Sequence, residues 1–272
     1  MTIYTLPKIT TESLPVGYVG VEYTPTKLAA TVAEGTDVTW SLVGDTPLPA
    51  GLTLSTDGTI KGKPTAPTDT PVTFTVQATI NEDVSNTKEL SITVHKGTPD
   101  FGTLAVSGYS GEGGAFVYGD TITISGTIQA SSTAPITNAL TAPAADEAAL
   151  FLGNQQLTEP VEVAENGGFT IQYDTSNKGI TPGAAPQTLT VKYGGSDNLT
   201  TGERTTTITL LPKPLTAAIT GTTTKVYDGT TNAPEDLSIT LSGVVGEDNV
   251  TATATFAYDG KDVGDQTITA SN

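Results

Sequence analysis

The stretch LPAGLTLSTDGTIKGKPT, Leu48–Thr65, decides the fold of this chain. Its residues alternate with a period of two. Leu52, Leu54 and Thr56 share one face, and Thr53 and Ser55 share the other. Asp57-Gly58 interrupts the alternation, and Thr59-Ile60-Lys61-Gly62 resumes it. Asp-Gly between two alternating runs predicts a β-hairpin with a type I′ turn, since that turn needs positive φ at both central residues. Pro49 and Gly51 punctuate the entry, Gly62 and Pro64 the exit.

The same texture extends outward over all 272 residues, a length that allows one to three domains. About one residue in five is Thr, whose β-branch suits the solvated face of a strand. The 29 Gly and 17 Pro point to many turns. Apolar residues make up 36% and charged residues 15%, which fits neither a disordered polyelectrolyte nor a membrane protein. No apolar run reaches the length of a membrane span, and Met1-Thr2-Ile3-Tyr4 does not open a secretory leader. The start is read as that of a processed or expressed piece. Cysteine is absent, which removes disulfides, thiolate metal sites and thiol catalysis together.

The net charge is −17, spread as −5, −7 and −5 over residues 1–95, 96–212 and 213–272. Such a surface repels phosphate backbones and anionic lipid heads, so nucleic acid and membrane insertion are excluded as targets.

In residues 1–95, alternating runs occur at Lys27–Val32, Val38–Val43, Gly51–Thr56, Thr59–Lys61, Val72–Ile80 and Glu89–His95. Turn residues separate them at intervals near ten, the rhythm of a β-sandwich. Trp40 sits mid-strand and is read as a core aromatic rather than a sugar-stacking platform. This segment resembles the Putative Ig family of bacterial surface proteins, cadherin-like sandwiches. The resemblance runs through SLPVGYVGVEY (Ser13–Tyr23), VTWSL (Val38–Leu42), Leu48–Thr65, FTVQAT (Phe74–Thr79) and LSITV (Leu90–Val94). It implies a stalk or accessory module and carries no catalytic residues.

His95-Lys96-Gly97-Thr98-Pro99 reads as a short, semi-rigid linker. His95 is the only histidine, so serine–histidine and histidine–metal chemistry have no other candidate; it is read as a surface residue. In residues 96–212 the expected strands are Leu104–Gly108, Ala115–Tyr118, Thr121–Ile128, Ala148–Leu152, Val161–Val163, Gly168–Tyr173, Thr188–Tyr193 and Thr205–Leu211. Gly111-Glu112-Gly113-Gly114 lacks the Lys-Ser/Thr ending of a phosphate loop and is read as a turn. Ser131–Ala149 is expected to be an elaborated loop, with a helical turn at Asp146-Glu147-Ala148-Ala149 as the alternative. It is the first place to look for added function. The segment is similar to bacterial Ig-like repeats, through VYGDTITISGTI (Val117–Ile128), LFLGNQQL (Leu150–Leu157) and LTVKYGGSDNLTTGERTTTITL (Leu189–Leu210); Ser131–Ala149 departs from that pattern.

Leu211-Pro212-Lys213-Pro214 reads as a second linker, stiffened by two prolines. Beyond it, TKVYDGTT (Thr224–Thr231), ITLSGVVGEDNVTAT (Ile239–Thr253) and FAYDGKDVGDQTITASN (Phe256–Asn272) resemble the YDG modules of bacterial surface and secreted proteins. The family's closing strand is missing, so this module is read as truncated. The expected architecture is therefore all-β: three tandem Ig-like β-sandwich domains at 1–95, 96–212 and 213–272, the last incomplete. Straight joints would make a rod of about 100–120 Å.

A glycosidase pair needs an enclosing cleft, and three small modules in series supply none. Cadherin-like modules hold Ca²⁺ at their joints, so calcium is the one metal considered. Asn81-Glu82-Asp83 and Glu247-Asp248-Asn249 are the nearest clusters, but their spacing is that of turns. Lys225 could enter an isopeptide only with a partner on the missing strand. Asn198-Leu199-Thr200 and Asn249-Val250-Thr251 are sequons by pattern alone. No catalytic, cofactor or metal residue is assigned. Two functions remain: a non-enzymatic, monomeric spacer on a bacterial, Gram-positive surface, or an adhesin segment that binds a host protein or glycan by sandwich edges or loops.

Overall fold

In the computed structural model, the described residues are 5–68, 70–81, 84–131 and 145–271. Their regular structure is strand, apart from short 3-10 turns at Glu112–Gly114 and Thr175–Asn177. The fold is all-β and sandwich-forming, as the alternation predicts. By contacts the chain divides into two compact units: residues 1–106, 123–172 and 188–206 in the first, and 107–122, 173–187 and 207–272 in the second.

In the first unit, Val72–Ile80 shows how pattern becomes packing. Phe74, Val76, Ala78 and Ile80 are buried while Thr73 points outward. The strand is the centre of an antiparallel sheet between Thr39–Val43 and Val84–Ile92. A second sheet runs Thr26–Lys27, Thr59–Gly62, Leu52–Leu54. Trp40, Leu52, Ile60, Phe74, Leu90 and Ile92 belong to one core cluster drawn from both sheets. Burying each large side chain of that set stabilises the fold by about 1.5–3 kcal/mol.

Two local expectations are corrected. The Asp57-Gly58 turn is not type I′: Gly58 has φ +87°, but Asp57 does not have positive φ. The loop is closed by Ser55 N–H donating to Thr59 O and Gly58 N–H to Ser55 O, so it is a longer hairpin loop with a single left-handed glycine. The Asp57 carboxylate accepts from the Thr59 hydroxyl and backbone N–H, which lower its pKa. Second, the last strand begins at Val84, not Glu89, and breaks at Thr93; Val94–His95 then pairs in parallel with Gly17–Tyr18.

The first unit also holds most of the sheet Gln155–Gln156, Glu147–Leu152, Gln187–Tyr193, Gly202–Ile208, with Val161–Glu162 pairing at the start of Glu147–Leu152. The three-stranded sheet Ala105–Ser107, Thr121–Thr127, Gly168–Asp174 has most of its residues in this unit. Ala148, Ala149, Leu150 and Phe151 are all buried, so this strand is covered on both faces. The predicted loop Ser131–Ala149 therefore ends earlier. Glu147–Ala149 is strand, as the expected run Ala148–Leu152 has it and not the overlapping loop or helical turn, because Ala148 and Ala149 pair in the ladder with Tyr193 and Lys192. Residues 132–144 of that loop lie outside the described residues.

In the second unit, Phe116–Val117 runs parallel to Leu210–Leu211. Gly111–Gly114 is the turn expected, with Gly113 at φ +65°. Residues 215–271 form two antiparallel ribbons, Thr216–Thr220 with Ser238–Ser242 and Thr255–Tyr258 with Ile268–Ser271. Among the described residues of that stretch, Leu237 is the only one buried. Val226 is 90% exposed and Val263 83%. A two-stranded ribbon without a covered face is marginal in water.

Candidate interaction surface

The sequence candidates separate into packing residues and surface residues. Trp40 is buried in the core under the Gly58 turn, so its ring offers no platform to a sugar. His95 lies in the short parallel strand, exposed, with its ring centroid 5.9 Å from that of Tyr18. Asn81 starts a reversal at φ +48°; Glu82 and Asp83 lie outside the described residues. Among the described residues, no three His, Asp or Glu side chains group as a metal site.

The His95–Pro99 connection is tied along its length. Val19 N–H donates to His95 O, Gly97 N–H to Asn198 O, and Thr200 N–H back to Gly97 O, at 3.0, 2.9 and 2.9 Å. The Lys96 ammonium donates to Ser196 O at 2.6 Å. Thr98–Asp100 then pairs antiparallel with Gln129–Ser131. Gly97 is required here, since a Cβ would come within 2.8 Å of Val19 O. Asn198, one of the two sequon asparagines, thus serves by its backbone carbonyl. An open hollow of about 840 Å³ lies nearby, with Lys63, Asp146, Glu162, Glu165 and Asp197 on its wall.

Lys225 organises the TKVYDGTT loop. Its ammonium donates to Asp228 Oδ1 at 2.8 Å, Thr230 O at 2.9 Å, Thr230 Oγ1 at 3.0 Å and Asn232 O at 2.7 Å. It also lies 5.5 Å from the centroid of the Tyr258 ring. Asp228 takes two further bonds from Thr230. The Lys225 ammonium first, and the Thr230 donors after it, hold the Asp228 carboxyl down to about 2. An isopeptide needs a neutral amine beside an amide or a protonated acid. Here the amine is a saturated ammonium beside an ionised carboxylate, so these side chains are set as an ion pair.

Sequence reading passed over a third cluster, in the second unit. Lys178, held in the left-handed region at φ +62°, places its Nζ 2.9 Å from Asp248 Oδ1. The Tyr118 hydroxyl, which donates to Ser176 O at 3.4 Å, lies near the same carboxylate. Lys178 first and Tyr118 second lower the Asp248 pKa, while that carboxylate raises the pKa of Tyr118. Beside them is a cavity of about 390 Å³, walled by Ile180, Pro182, Pro212, Leu215, Val244 and Val250. Asp248 came up in the sequence only as part of an acidic turn. Nothing local announces a partner seventy positions away.

The two-sheet core and the strand order define a fold class, that of Ig-like β-sandwich domains. Residues 6–95 match the family described as Putative Ig domain, and residues 211–272 match the YDG domain. No curated protein matches the chain. Among solved structures, it is similar to the N-terminal eight Ig domains of Down Syndrome Cell Adhesion Molecule, at 14% identity and a TM-score of 0.36, over 97% of this chain and 30% of that one. It is also similar to Drosophila N-cadherin EC1-3, at 16% identity and a TM-score of 0.28, over 76% and 68% of the two chains. Human Protocadherin-24 EC1-2 gives 12% identity and a TM-score of 0.32, over 76% and 99%. The chain spans less than a third of the first of these. Among the described residues, no helix is long and apolar enough to cross a membrane.

Proposed function

We propose that this chain is a non-enzymatic, extracellular spacer of a bacterial cell-surface protein, built from modules at 1–95, 96–212 and 213–272. The supporting observation is the His95–Pro99 connection, hydrogen-bonded at almost every residue rather than left as a coil. A connection tied that way transmits position, which is what a spacer needs. The ionisable side chains at the surface clusters are spent on local bonds, as at Lys225–Asp228 and Lys178–Asp248. That distribution suits a scaffold better than a reaction centre.

A second reading is an adhesin segment recognising a host protein or glycan. It is favoured by the apolar side chains left in solvent on residues 215–271, Val226, Tyr227 and Val263 among them. The experiment that separates the two is a pull-down of the chain from serum and mucus, with a glycan array in parallel. Silence across all three, with an elongated particle by small-angle scattering, is expected for the spacer. A saturable partner would replace it with the adhesin, and a maximum dimension of a compact globule would remove the spacer.

A further inference from the structure

We propose that the contact of the Gly243–Val250 loop against Tyr118, Gly119 and Lys178 is a reversible latch, with Pro212–Leu215 as its hinge. The two connections in this chain are made differently. His95–Pro99 is fixed by backbone hydrogen bonds and a strand ladder. Among the described residues, Pro212–Leu215 makes no hydrogen bond of that kind, and two of its four residues have no N–H to give.

Side chains do the holding instead. The two methyl groups of Val245 lie against Gly119, where an added Cβ would come within 3.0 Å of both. Gly119 has φ +98°, so the notch also depends on glycine's freedom. Lys178 grips Asp248 at 2.9 Å, and the Tyr118 hydroxyl donates beside them to Ser176 O at 3.4 Å. Behind these contacts the cavity of about 390 Å³ is unfilled by protein, so the joint is not packed like a core. The Lys178 side chain is 70% exposed and that of Asp248 20%, so the pair is open to water on the lysine side and is screened by salt there. Strand ladders on either side use none of these atoms, so the latch can part without breaking a ladder hydrogen bond. The inference does not depend on the spacer reading, since an adhesin would carry the same joint.

The test uses the full chain, whose lack of cysteine makes labelling clean. Ala185→Cys and Lys261→Cys, both in the second unit, receive spin labels, and the distance distribution is read by pulsed dipolar spectroscopy. A narrow distribution is expected at low salt. At least a doubling of its width is expected at molar salt, in Asp248→Lys and in Val245→Ser. The charge-swapped pair Lys178→Glu with Asp248→Lys is expected to restore the narrow form. Circular dichroism checks that each variant is folded; if a variant is not, the salt series on the labelled parent decides. A width unmoved by salt and by Asp248→Lys, or a swap that fails to restore it in a folded protein, overturns the latch.

Discussion

A side-chain carbon placed on Gly58 would fall 2.7 Å from both Cδ1 and Nε1 of the Trp40 indole. The glycine is thus the floor on which the only tryptophan rests, and its φ of +87° bars other residues a second time. Gly58→Ala is expected to cost about 2 kcal/mol or more through the left-handed backbone and the overlap together. Urea unfolding followed by Trp40 fluorescence measures it. A native emission red-shifted in the variant would show the indole lifted; an unchanged midpoint would show that the close approach is not felt.

The Asp228 carboxyl, held down to about 2 against an ordinary 3.8, makes the TKVYDGTT loop acid-sensitive. A depressed folded pKa contributes stability that is fully present above the ordinary value and is lost as pH falls from there toward 2. The carboxyl carbon resonance of Asp228 should therefore titrate with a midpoint near 2. Asp228→Asn should loosen the loop already at neutral pH, seen as faster exchange of the Thr230 amide. A midpoint at the ordinary carboxylate value would contradict the clasp.

Lys225 gives a chemical prediction. Its ammonium is engaged by four acceptors, none of them an amide carbon within a cross-linking arrangement. The intact mass is expected to equal that of the plain sequence, with no ammonia or water lost to a cross-link at this residue. Lys225→Met should release Asp228 and return its titration toward the ordinary value.

Gly97 tests the tied connection. A Cβ there meets Val19 O at 2.8 Å, and Ala130 Cβ and Leu199 Cδ2 at 3.1 Å each. Gly97→Val is expected to cost about 1–3 kcal/mol by overpacking. Hydrogen exchange at Gly97 and Thr200 should quicken together, because each amide bonds across the same connection. Protection retained at both would mean that the bonds survive a bulkier residue.

Much of the strand layout was legible. Val72–Ile80 is a strand over the residues predicted, because Pro71 and Asn81 end a run whose every second residue is apolar. The Asp57-Gly58 hairpin was legible as a hairpin, but its turn type was not. A dipeptide signals reversal, whereas the loop's length is set by which residues close it, here Ser55 and Thr59. The strand expected at Ala148–Leu152 is present and starts one residue earlier, at Glu147; the overlapping loop assignment over Ser131–Ala149 reached too far because a strand buried on both faces shows no alternation at its start.

Period-two alternation and turn residues specified an all-β chain of sandwich strands, since side-chain direction along a strand is a local property and water sorts it at once. Distance along the chain hides the rest. That Lys178 meets Asp248, that Gly97 is stitched to Asn198 and Thr200, and that Val245 lodges against Gly119 follows from how folded strands bring remote loops together. No propensity encodes those meetings, because each exists only when both partners are already held in place by their own sheets.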